Sequence, residues 1–223
     1  MCGRFTLTVD PDDLQTAFPF IRLPLDALPA PRYNIAPSQP VAAIANTDPP
    51  RLDHFRWGLI PSWAKDPSIG NRLINARAET LADKPAFRSA LKRRRCLIPA
   101  DGFYEWRKAG SGKTPMYIRM KSGEPFAFAG LWEAWSAAGD KTIVSCAIIT
   151  TTPNALLEKI HDRMPVILKP EAYAGWLDPG EGDPGALAKW LKPYPAAHMT
   201  AYAVSPLVNK PANDVPECIV PVK

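Results

Sequence analysis

Residues 96–135 read CLIPADGFYEWRKAGSGKTPMYIRMKSGEPFAFAGLWEAW, and they determine the fold class more than any other part of the chain. Apolar segments alternate here with short turns, most of which contain glycine. Segments so close together can pair only as antiparallel neighbours, because a parallel connection needs about a dozen residues or more. We therefore predict antiparallel strands at Cys96–Pro99, Phe103–Trp106, Met116–Met120 and Phe126–Trp135, followed by a turn at Gly139–Asp140 and a strand at Thr142–Thr151.

The sequence on either side adds further short strands and short helices. Strands are predicted at Arg4–Val9, Val41–Ala45, Leu52–Leu59, Val166–Leu168 and Thr200–Val204. Helices are predicted at Asp12–Phe18, Ala86–Arg94, Pro153–Ile160, Glu171–Leu177 and Ala186–Leu191. An irregular turn is predicted at residues 32–38, and an extended tail from Pro206 onward.

These elements predict an α+β fold. Strands joined by tight turns, with few helices between them, favour one antiparallel-rich domain over residues 1–223, with a barrel-like β core and short peripheral helices. The regular alternation of strand and long helix that a doubly wound sheet requires is missing from the sequence.

Composition and charge exclude several classes of protein. No apolar run approaches the ~20 residues of a membrane span, and the N-terminal MCGRFTLTVDPDD lacks the regions of a signal peptide. The four cysteines form no CxxC pair, which argues against a disulfide framework or a zinc site and favours the reduced cytoplasm. We expect no metal or other cofactor, and a monomer. The net charge of +5 permits a polyanionic partner without requiring one.

The N-terminus, Met1-Cys2-Gly3-Arg4-Phe5, carries the first candidate for chemistry. Removal of Met1 would leave Cys2 with a free α-amine and a thiol, whose ordinary pKa values are about 8 and about 8.5. Such an aminothiol reacts with an aldehyde first as an imine and then as a closed thiazolidine ring. Taken alone, a cysteine at this position is more often an ordinary small residue after the start codon.

Three internal residues could assist a nucleophile. His161 follows a predicted helix, where the helix end and Asp162 would influence its ring. Glu105 lies between Tyr104 and Trp106, and partial burial there would raise its pKa and suit it to proton transfer. Asn75 could orient an amine or a carbonyl. Each of these residues also has an ordinary structural interpretation.

Nucleic-acid contacts have weaker candidates. Arg4 and Arg77 could bind phosphates, and Trp63 could stack on a base. Scattered residues of these types are usually surface residues. The sequence contains no P-loop, GxGxxG, HExxH or GxSxG pattern, so the commonest nucleotide-binding, zinc-protease and hydrolase sites are not indicated.

Taken together, the motifs resemble those of the SOS response-associated peptidase (SRAP) family, whose members crosslink to abasic sites in single-stranded DNA. The resemblance covers about three quarters of the chain and runs through MCGRF (1–5), RYNIAP (32–37), WGLIP (57–61), NARAET (75–80), RCLIP (95–99), GFYEW (102–106) and HDRMP (161–165). Some relatives have a second aromatic residue after the tryptophan, where this chain has Ala64. Residues 171–195 match the family least.

The resemblance implies a function and a site. Cys2 would be the nucleophile that forms a thiazolidine with the ring-opened sugar of an abasic site, as part of an SOS-type response to DNA damage. Asn75, Glu105 and His161 would be its catalytic neighbours, while Arg4, Arg77 and Trp63 would contact single-stranded DNA in a positively charged groove. The protein would be cytoplasmic, and nucleoid-associated when bound to DNA.

Two other functions remain open from the sequence. The first is a thiol peptidase, acting on its own N-terminus or on other proteins, with Cys2, His161 and Glu105 as its catalytic set. The second is a protein that binds single-stranded nucleic acid without forming a covalent bond, in which Cys2 has no chemical role.

Overall fold

The structure, a computed structural model, describes residues 2–21, 30–110, 112–137 and 142–222. The turn expected at 139–140 lies outside these ranges. Within them the strands are β1 Phe5–Leu7, β2 Arg32–Ile35, β3 Pro40–Ala45, β4 Arg51–Trp57, β5 Asn75–Arg77, β6 Arg95–Ala100, β7 Gly102–Ala109, β8 Gly112–Met120, β9 Phe126–Trp135, β10 Ile143–Thr151, β11 Met164–Pro165, β12 Ile167–Leu168 and β13 Met199–Ala203. The α-helices are α1 Pro11–Ala17, α2 Arg88–Arg93, α3 Tyr173–Leu177 and α4 Pro184–Ala188.

Five strands close into a barrel. They pair in the order β10-β4-β3-β6-β9, and β9 pairs with β10 again to complete the ring. All of these pairs are antiparallel except β10 with β4. Closure leaves the five strands without an open edge, and their inward residues fill the interior. The predicted α+β fold with a barrel-like β core is confirmed.

A second sheet packs against this barrel. Its strand order is β13-β8-β7-β1-β2, and every pair is antiparallel. Phe5 of β1 joins the two layers, because its ring lies 5.2 Å from that of Trp57 and 5.7 Å from that of Phe128, between ring centres. All three side chains are buried. Burial of a phenylalanine of this kind contributes about 2–3 kcal/mol to folding.

The connection from β4 to β5 is what brings the NARAET segment (75–80) beside β10. Gly58 has φ +131, and a Cβ there would lie 2.6 Å from the carbonyl oxygen of Gly70, so only glycine fits this position. The chain then turns through a 3-10 helix at Pro67–Arg72 and returns as β5. Because β5 pairs in parallel with β10, Asn75 comes to lie opposite Ile148.

Two segments differ from the sequence prediction. Residues 32–35, predicted as part of an irregular turn, form β2, because β1 supplies a pairing partner that the local sequence does not reveal. The tail from Pro206, predicted as extended, contains 3-10 turns at Pro206–Asn209 and Pro216–Ile219. Prolines at the first positions of both turns, and the side chain of Ser205 at the start of one, explain why they form there.

The helices are shorter than predicted. The segment 86–94 contains α2 over only six residues, and 153–160 contains only a 3-10 turn at Leu157–Lys159. The start of α1 matches the prediction closely, because Asp10 caps it and Pro11 occupies its first turn. In the described part of the chain, no helix is long and apolar enough to cross a membrane.

Candidate active site

Cys2 lies just before β1, between the two sheets. Its side chain is fully buried, and its thiol donates a weak hydrogen bond to the carbonyl oxygen of Arg4 at 3.9 Å. Burial raises the pKa of the thiol far above its ordinary value, and the negative charge of Glu105 raises it further. The sulfur is therefore a neutral thiol in this state of the chain, and Glu105 is close enough to influence it.

Asn75 holds the backbone of Cys2. Its side-chain Nδ2 donates to the carbonyl oxygen of Cys2 at 2.8 Å, although the two residues lie 73 positions apart. The other atom of the amide, Oδ1, is buried and has no hydrogen-bond partner among the described residues. A buried acceptor without a donor is unfavourable by about 1–3 kcal/mol, so this oxygen is ready to accept a hydrogen bond from a group near Cys2.

Glu105 extends from β7, the strand next to β1. The N–H of Tyr104 donates to the carbonyl oxygen of Arg4 at 3.0 Å, and this pairing places Glu105 beside the N-terminal segment. Glu105 is only 2% exposed. Burial raises the pKa of its carboxyl to about 7, because a carboxylate loses its hydration in this environment. Glu105 can therefore carry or release a proton near neutral pH.

His161 follows the 3-10 turn at Leu157–Lys159, and its Nε2 lies 4.0 Å from Oε2 of Glu105. Its Nδ1 accepts the backbone N–H of Arg163 at 3.0 Å, while Oδ1 of Asp162 lies 2.8 Å from the same nitrogen. Nδ1 cannot accept from Arg163 and donate to Asp162 at once. We favour the first arrangement, since the Asp162 carboxylate is highly exposed and burial lowers the pKa of His161. The neutral ring then presents an Nε2–H toward Glu105.

A bidentate ion pair connects the segment that carries Asn75 with the segment that carries His161. Nη1 and Nη2 of Arg163 lie 2.8 and 2.9 Å from the two carboxylate oxygens of Glu79. Nη2 also donates to the carbonyl oxygen of Thr150 on β10 at 2.7 Å. Neither residue was predicted to belong to the site, although the opposite charges in the NARAET and HDRMP motifs were an available signal.

Arg4 lies closer to the protein interior than a surface phosphate ligand would. It is 9% exposed, and its Nη1 donates to Oδ1 of Asn34 at 2.7 Å and to the carbonyl oxygen of Val208 at 2.8 Å. Within the described residues no carboxylate lies within 4.0 Å of its guanidinium. Arg4 therefore anchors the chain after Cys2, and its positive charge there is not paired with any of the described carboxylates.

Arg77 and Trp63 are on the surface, unlike Arg4. Arg77 ends β5, two residues after Asn75, and its side chain is exposed. Trp63 is 58% exposed, and its indole N–H reaches the carbonyl oxygen of Pro85 at 3.5 Å. Both side chains are available to a ligand, as a cation and as a flat apolar surface.

The geometry thus brings Cys2, Asn75, Glu105 and His161 together from four separate parts of the chain. It combines a sulfur nucleophile, an amide that binds the backbone of the nucleophile, a carboxyl with a pKa of about 7, and an imidazole beside that carboxyl. In the ranges that the structure describes, no group of three or more His, Cys, Asp or Glu side chains could hold a metal ion.

The sequence and the fold are similar to those of known proteins. Abasic site processing protein YoqW of Bacillus subtilis is 51% identical over 221 residues, which cover 98% of this chain and 99% of that protein. Abasic site processing protein HMCES of Xenopus tropicalis is 32% identical over 265 residues, covering all of this chain and 78% of that protein. A crystal structure of a protein from Bacteroides thetaiotaomicron superposes with a TM-score of 0.88 at 28% identity, over the whole of both chains. The family model for SOS response associated peptidase (SRAP) matches residues 1–211. The chain therefore belongs to the SRAP family.

Proposed function

We propose that this protein recognises abasic sites in single-stranded DNA and traps them covalently through Cys2, once Met1 has been removed. The observation that carries the proposal is the meeting of Cys2, Asn75, Glu105 and His161 at the junction of the two sheets. Membership of the SRAP family supports it, as do the relatives named abasic site processing proteins. An SOS-type response to DNA damage is the setting that the family description suggests.

The chemistry requires only the aminothiol and an aldehyde. The α-amine of Cys2 attacks the aldehyde carbon of the ring-opened sugar, and the resulting carbinolamine loses water to give an imine. The thiol then adds to the imine carbon and its proton passes to the imine nitrogen, which closes a five-membered thiazolidine. No atom is oxidised or reduced, so no cofactor is needed.

Glu105 and His161 supply the proton transfers. A carboxyl with a pKa of about 7 can protonate the sugar's ring oxygen as the ring opens and take up the proton that the C1 hydroxyl loses as it becomes the aldehyde. It can then pass that proton to the departing hydroxyl of the carbinolamine. His161, with its Nε2 directed at Glu105, assists proton transfer as the thiol adds. Such assistance is worth roughly 100- to 10,000-fold in rate. It matters here because the buried thiol is neutral and must lose its proton during the reaction.

Asn75 orients the nucleophile. Its Nδ2 fixes the carbonyl oxygen of Cys2, and its buried Oδ1 is available to accept a hydrogen bond from the α-amine that processing creates. The amine lone pair would then be directed at the aldehyde rather than rotating freely. Orientation of reacting groups in this way lowers the barrier without changing the chemistry.

The DNA substrate follows from the surroundings of the site. A paired duplex shields the sugar, so the target strand must be single or opened. Exposed Trp63 would stack on a base or wedge against one, and Arg77 would bind a phosphate beside the abasic sugar. Arg4 would act mainly through its unbalanced charge, because its Nη1 is occupied by Asn34 and Val208.

A thiol peptidase remains the alternative that the family description names. It needs a thiolate nucleophile, whereas burial raises the pKa of the Cys2 thiol and keeps it protonated. Incubation with a labelled protein substrate, beside abasic DNA, would distinguish the two activities. The non-covalent binder predicts instead that Cys2→Ala binds DNA as well as wild type under native conditions, and that neither protein retains DNA under denaturing conditions.

The decisive test uses the two halves of the aminothiol. The processed wild-type protein should gain the mass of an abasic oligonucleotide and keep it through denaturation and heat. Cys2→Ser retains the amine, so it should give only a labile imine or strand cleavage. A chain with a tag ahead of Cys2 retains the thiol but has an amide in place of the amine, and should form no stable adduct. A tagged chain that crosslinks as well as the processed protein would show that the thiazolidine mechanism is wrong.

A further inference from the structure

The positive charge of this protein is concentrated in one part of the chain. Residues 75–95 contain seven cationic and two acidic side chains, a net charge of +5, which equals the net charge of the whole protein. The remainder of the chain is therefore neutral in sum. The cationic residues of this segment are Arg77, Lys84, Arg88, Lys92, Arg93, Arg94 and Arg95.

Two of these cations are used inside the protein. Arg95 is fully buried and donates to backbone carbonyls at the ends of α2 and α3, and Arg94 pairs with Glu133 at 2.7 Å. The side chains of Arg88, Lys92 and Arg93, which lie on α2, are exposed. Across the described ranges no carboxylate lies within 4.0 Å of any of the three.

Helix stability explains only two of these three cations. Lys92 and Arg93 lie in the last turn of α2, where the helix dipole favours positive charge, but Arg88 is its first residue, where the dipole opposes it. Arg88 and Lys92 are four positions apart and so lie on the same face, where two like charges destabilise a helix by a few tenths of a kcal/mol. For a helix of only six residues, this arrangement is unfavourable unless an anion binds to it.

The three cations also share a concave surface. A cleft of about 210 Å³ is lined by Ala82, Arg88, Ser89, Lys92 and Arg93, and we call it the α2 cleft. The acidic loop at 178–183 approaches the backbone of Lys92, since a Cβ on Gly182 would lie 3.4 Å from its carbonyl oxygen. The carboxylates of that loop accept N–H groups of the loop itself and of the start of α4, and they do not pair with the cleft.

The α2 cleft continues the proposed DNA surface. Ala82, on its wall, follows Arg77 by five residues, and Pro85 accepts the indole N–H of Trp63. Exposed cations therefore lie on both sides of Pro85 in the chain, with Arg77 near Asn75 and Arg88 at the start of α2. A polyanion with evenly spaced charges, long enough to leave the site, would reach these cations as well.

We propose that the α2 cleft binds the phosphodiester backbone of the DNA that flanks the abasic site. This inference rests on the proposed function. It adds a contact that any DNA strand long enough to reach from the candidate active site to the cleft would make, whether or not it contains an abasic site. Arg88, Lys92 and Arg93 supply the positive charge, and the hydroxyl of Ser89 supplies a hydrogen bond to a phosphate oxygen. The contact should be independent of base sequence, because a phosphate contact carries no sequence information.

The test measures equilibrium binding of oligonucleotides that contain a tetrahydrofuran analogue of the abasic sugar, which has no aldehyde and cannot crosslink. Arg88→Gln/Lys92→Gln/Arg93→Gln is compared with wild type and with the matched control Arg51→Gln/Lys121→Gln/Lys210→Gln, whose three side chains are also exposed. Two probes are used, of about 5 and about 16 nucleotides, which span the range of sites bound by small single-strand binding domains. Thermal unfolding of each variant verifies that it folds.

The cleft variant should bind the long probe at least about tenfold more weakly than wild type at low salt. The slope of the logarithm of its binding constant against the logarithm of salt concentration should be smaller in magnitude by about 2, because three contacts are lost and each single-strand phosphate contributes about 0.7. Its affinity for the short probe, and the affinities of the control, should change much less. Equal losses on both probes, or equal losses in the control, would show a general charge effect and overturn the proposal.

Crosslinking of wild type to a true abasic site is run in parallel. Its absence would refute the proposed function, whereas its presence with an unchanged salt slope would refute only the cleft.

Discussion

Glu105 is the residue whose burial links folding most directly to the proposed chemistry. A carboxyl at 2% exposure, in a strand between two packed layers, is held where its charged form is poorly solvated. Burial moves its pKa from an ordinary 4.5 to about 7, into the range in which an acid can work at neutral pH. The same burial makes the ionised residue a source of instability, because the unfolded chain hydrates it freely.

Glu105→Gln should therefore stabilise the fold above neutral pH. The folded pKa lies above the unfolded pKa, so the native state loses stability as the pH rises from about 4.5 through about 7. At about 1.4 kcal/mol for each pKa unit, the full loss is about 3 kcal/mol. Urea unfolding at pH 8 should show the variant more stable than wild type by up to that amount. At pH 4 the advantage should disappear, and an advantage of equal size at both pH values would contradict this account.

The same variant should crosslink abasic DNA more slowly, by a factor that depends on pH. Glu105 acts as an acid only while it is protonated, so its contribution is greatest below pH 7 and declines as the pH rises through about 7. Single-turnover rates should differ roughly 100- to 10,000-fold at low pH and converge above neutrality. Titration of the α-amine affects the rates of wild type and the variant equally, so its effect cancels in the ratio of the two rates. A ratio that stays constant with pH would assign Glu105 a purely structural role.

The sequence identifies these residues through motifs rather than through local pattern. Asn75 and Cys2 are 73 positions apart, and His161 is farther still from both, so no periodicity places them together. Glu105 is the partial exception, since its aromatic neighbours predict the burial that raises its pKa. The burial of Arg4 could not be foreseen, because its partners Asn34 and Val208 come from distant parts of the chain.

Strand β10 organises the site among the elements. It pairs with β5, which begins at Asn75, and with β11, which begins three residues after His161. The pair of Arg163 with Glu79 joins these two neighbours across the strand, with Thr150 of β10 as a third contact. Hydrogen bonding to Arg163 also lowers the pKa of Glu79, which keeps that carboxylate charged. The backbone N–H of the same arginine orients the His161 ring.

Glu79→Gln should slow crosslinking without weakening DNA binding. Loss of the charged pair loosens the positions of Asn75 and His161 relative to each other, and small misplacements are costly in rate. Removal of a surface carboxylate cannot weaken attraction to phosphates, so affinity for an oligonucleotide with the tetrahydrofuran analogue should hold or rise.

Exposed Glu158, whose carboxylate has no described ion pair, provides the control Glu158→Gln. An unchanged rate in Glu79→Gln, together with weaker DNA binding in Arg163→Gln, would instead make Arg163 a direct phosphate ligand.

Among the elements, the sequence predicts the consecutive hairpins and fails on the distant pairings. The consecutive strands β3 and β4, β7 and β8, and β9 and β10 form antiparallel pairs, whereas β6 pairs with β9 rather than with β7, its neighbour in sequence. The parallel contacts of β10 with β4 and β5 have no local signal, since they join segments about 70 to 90 residues apart. Those contacts close the barrel and position Asn75, so the site depends on the part of the fold that was hardest to predict.

The two ends of the described chain meet behind the candidate active site. Asn34 on β2 accepts Nη1 of Arg4 and donates through its Nδ2 to the carbonyl oxygens of Val208, Lys210 and Asn213. Asp214 pairs with Arg32 and accepts the backbone N–H groups of Tyr33 and Asn34 at 2.5 and 2.9 Å. The RYNIAP motif thus fastens the C-terminal tail to the strand that supports the Cys2 segment.

Asp214→Ala tests whether these contacts between β2 and the C-terminal tail support both the fold and the site. The change removes an ion pair and leaves two backbone N–H groups of β2 without their acceptor, which should reduce the free energy of unfolding by about 1–3 kcal/mol. Asn34 would then hold the Arg4 side chain less firmly. The carbonyl oxygen of Arg4 accepts the thiol of Cys2 and the backbone N–H of Tyr104, so a shift of Arg4 would also move Cys2. Crosslinking should therefore slow as well. Urea unfolding and single-turnover crosslinking measure the two effects, with Asp12→Ala, an exposed acid near the start of α1, as the control. If Asp214→Ala loses stability but crosslinks at the wild-type rate, the tail supports the fold alone, and the position of Cys2 depends only on β1, β7 and Asn75.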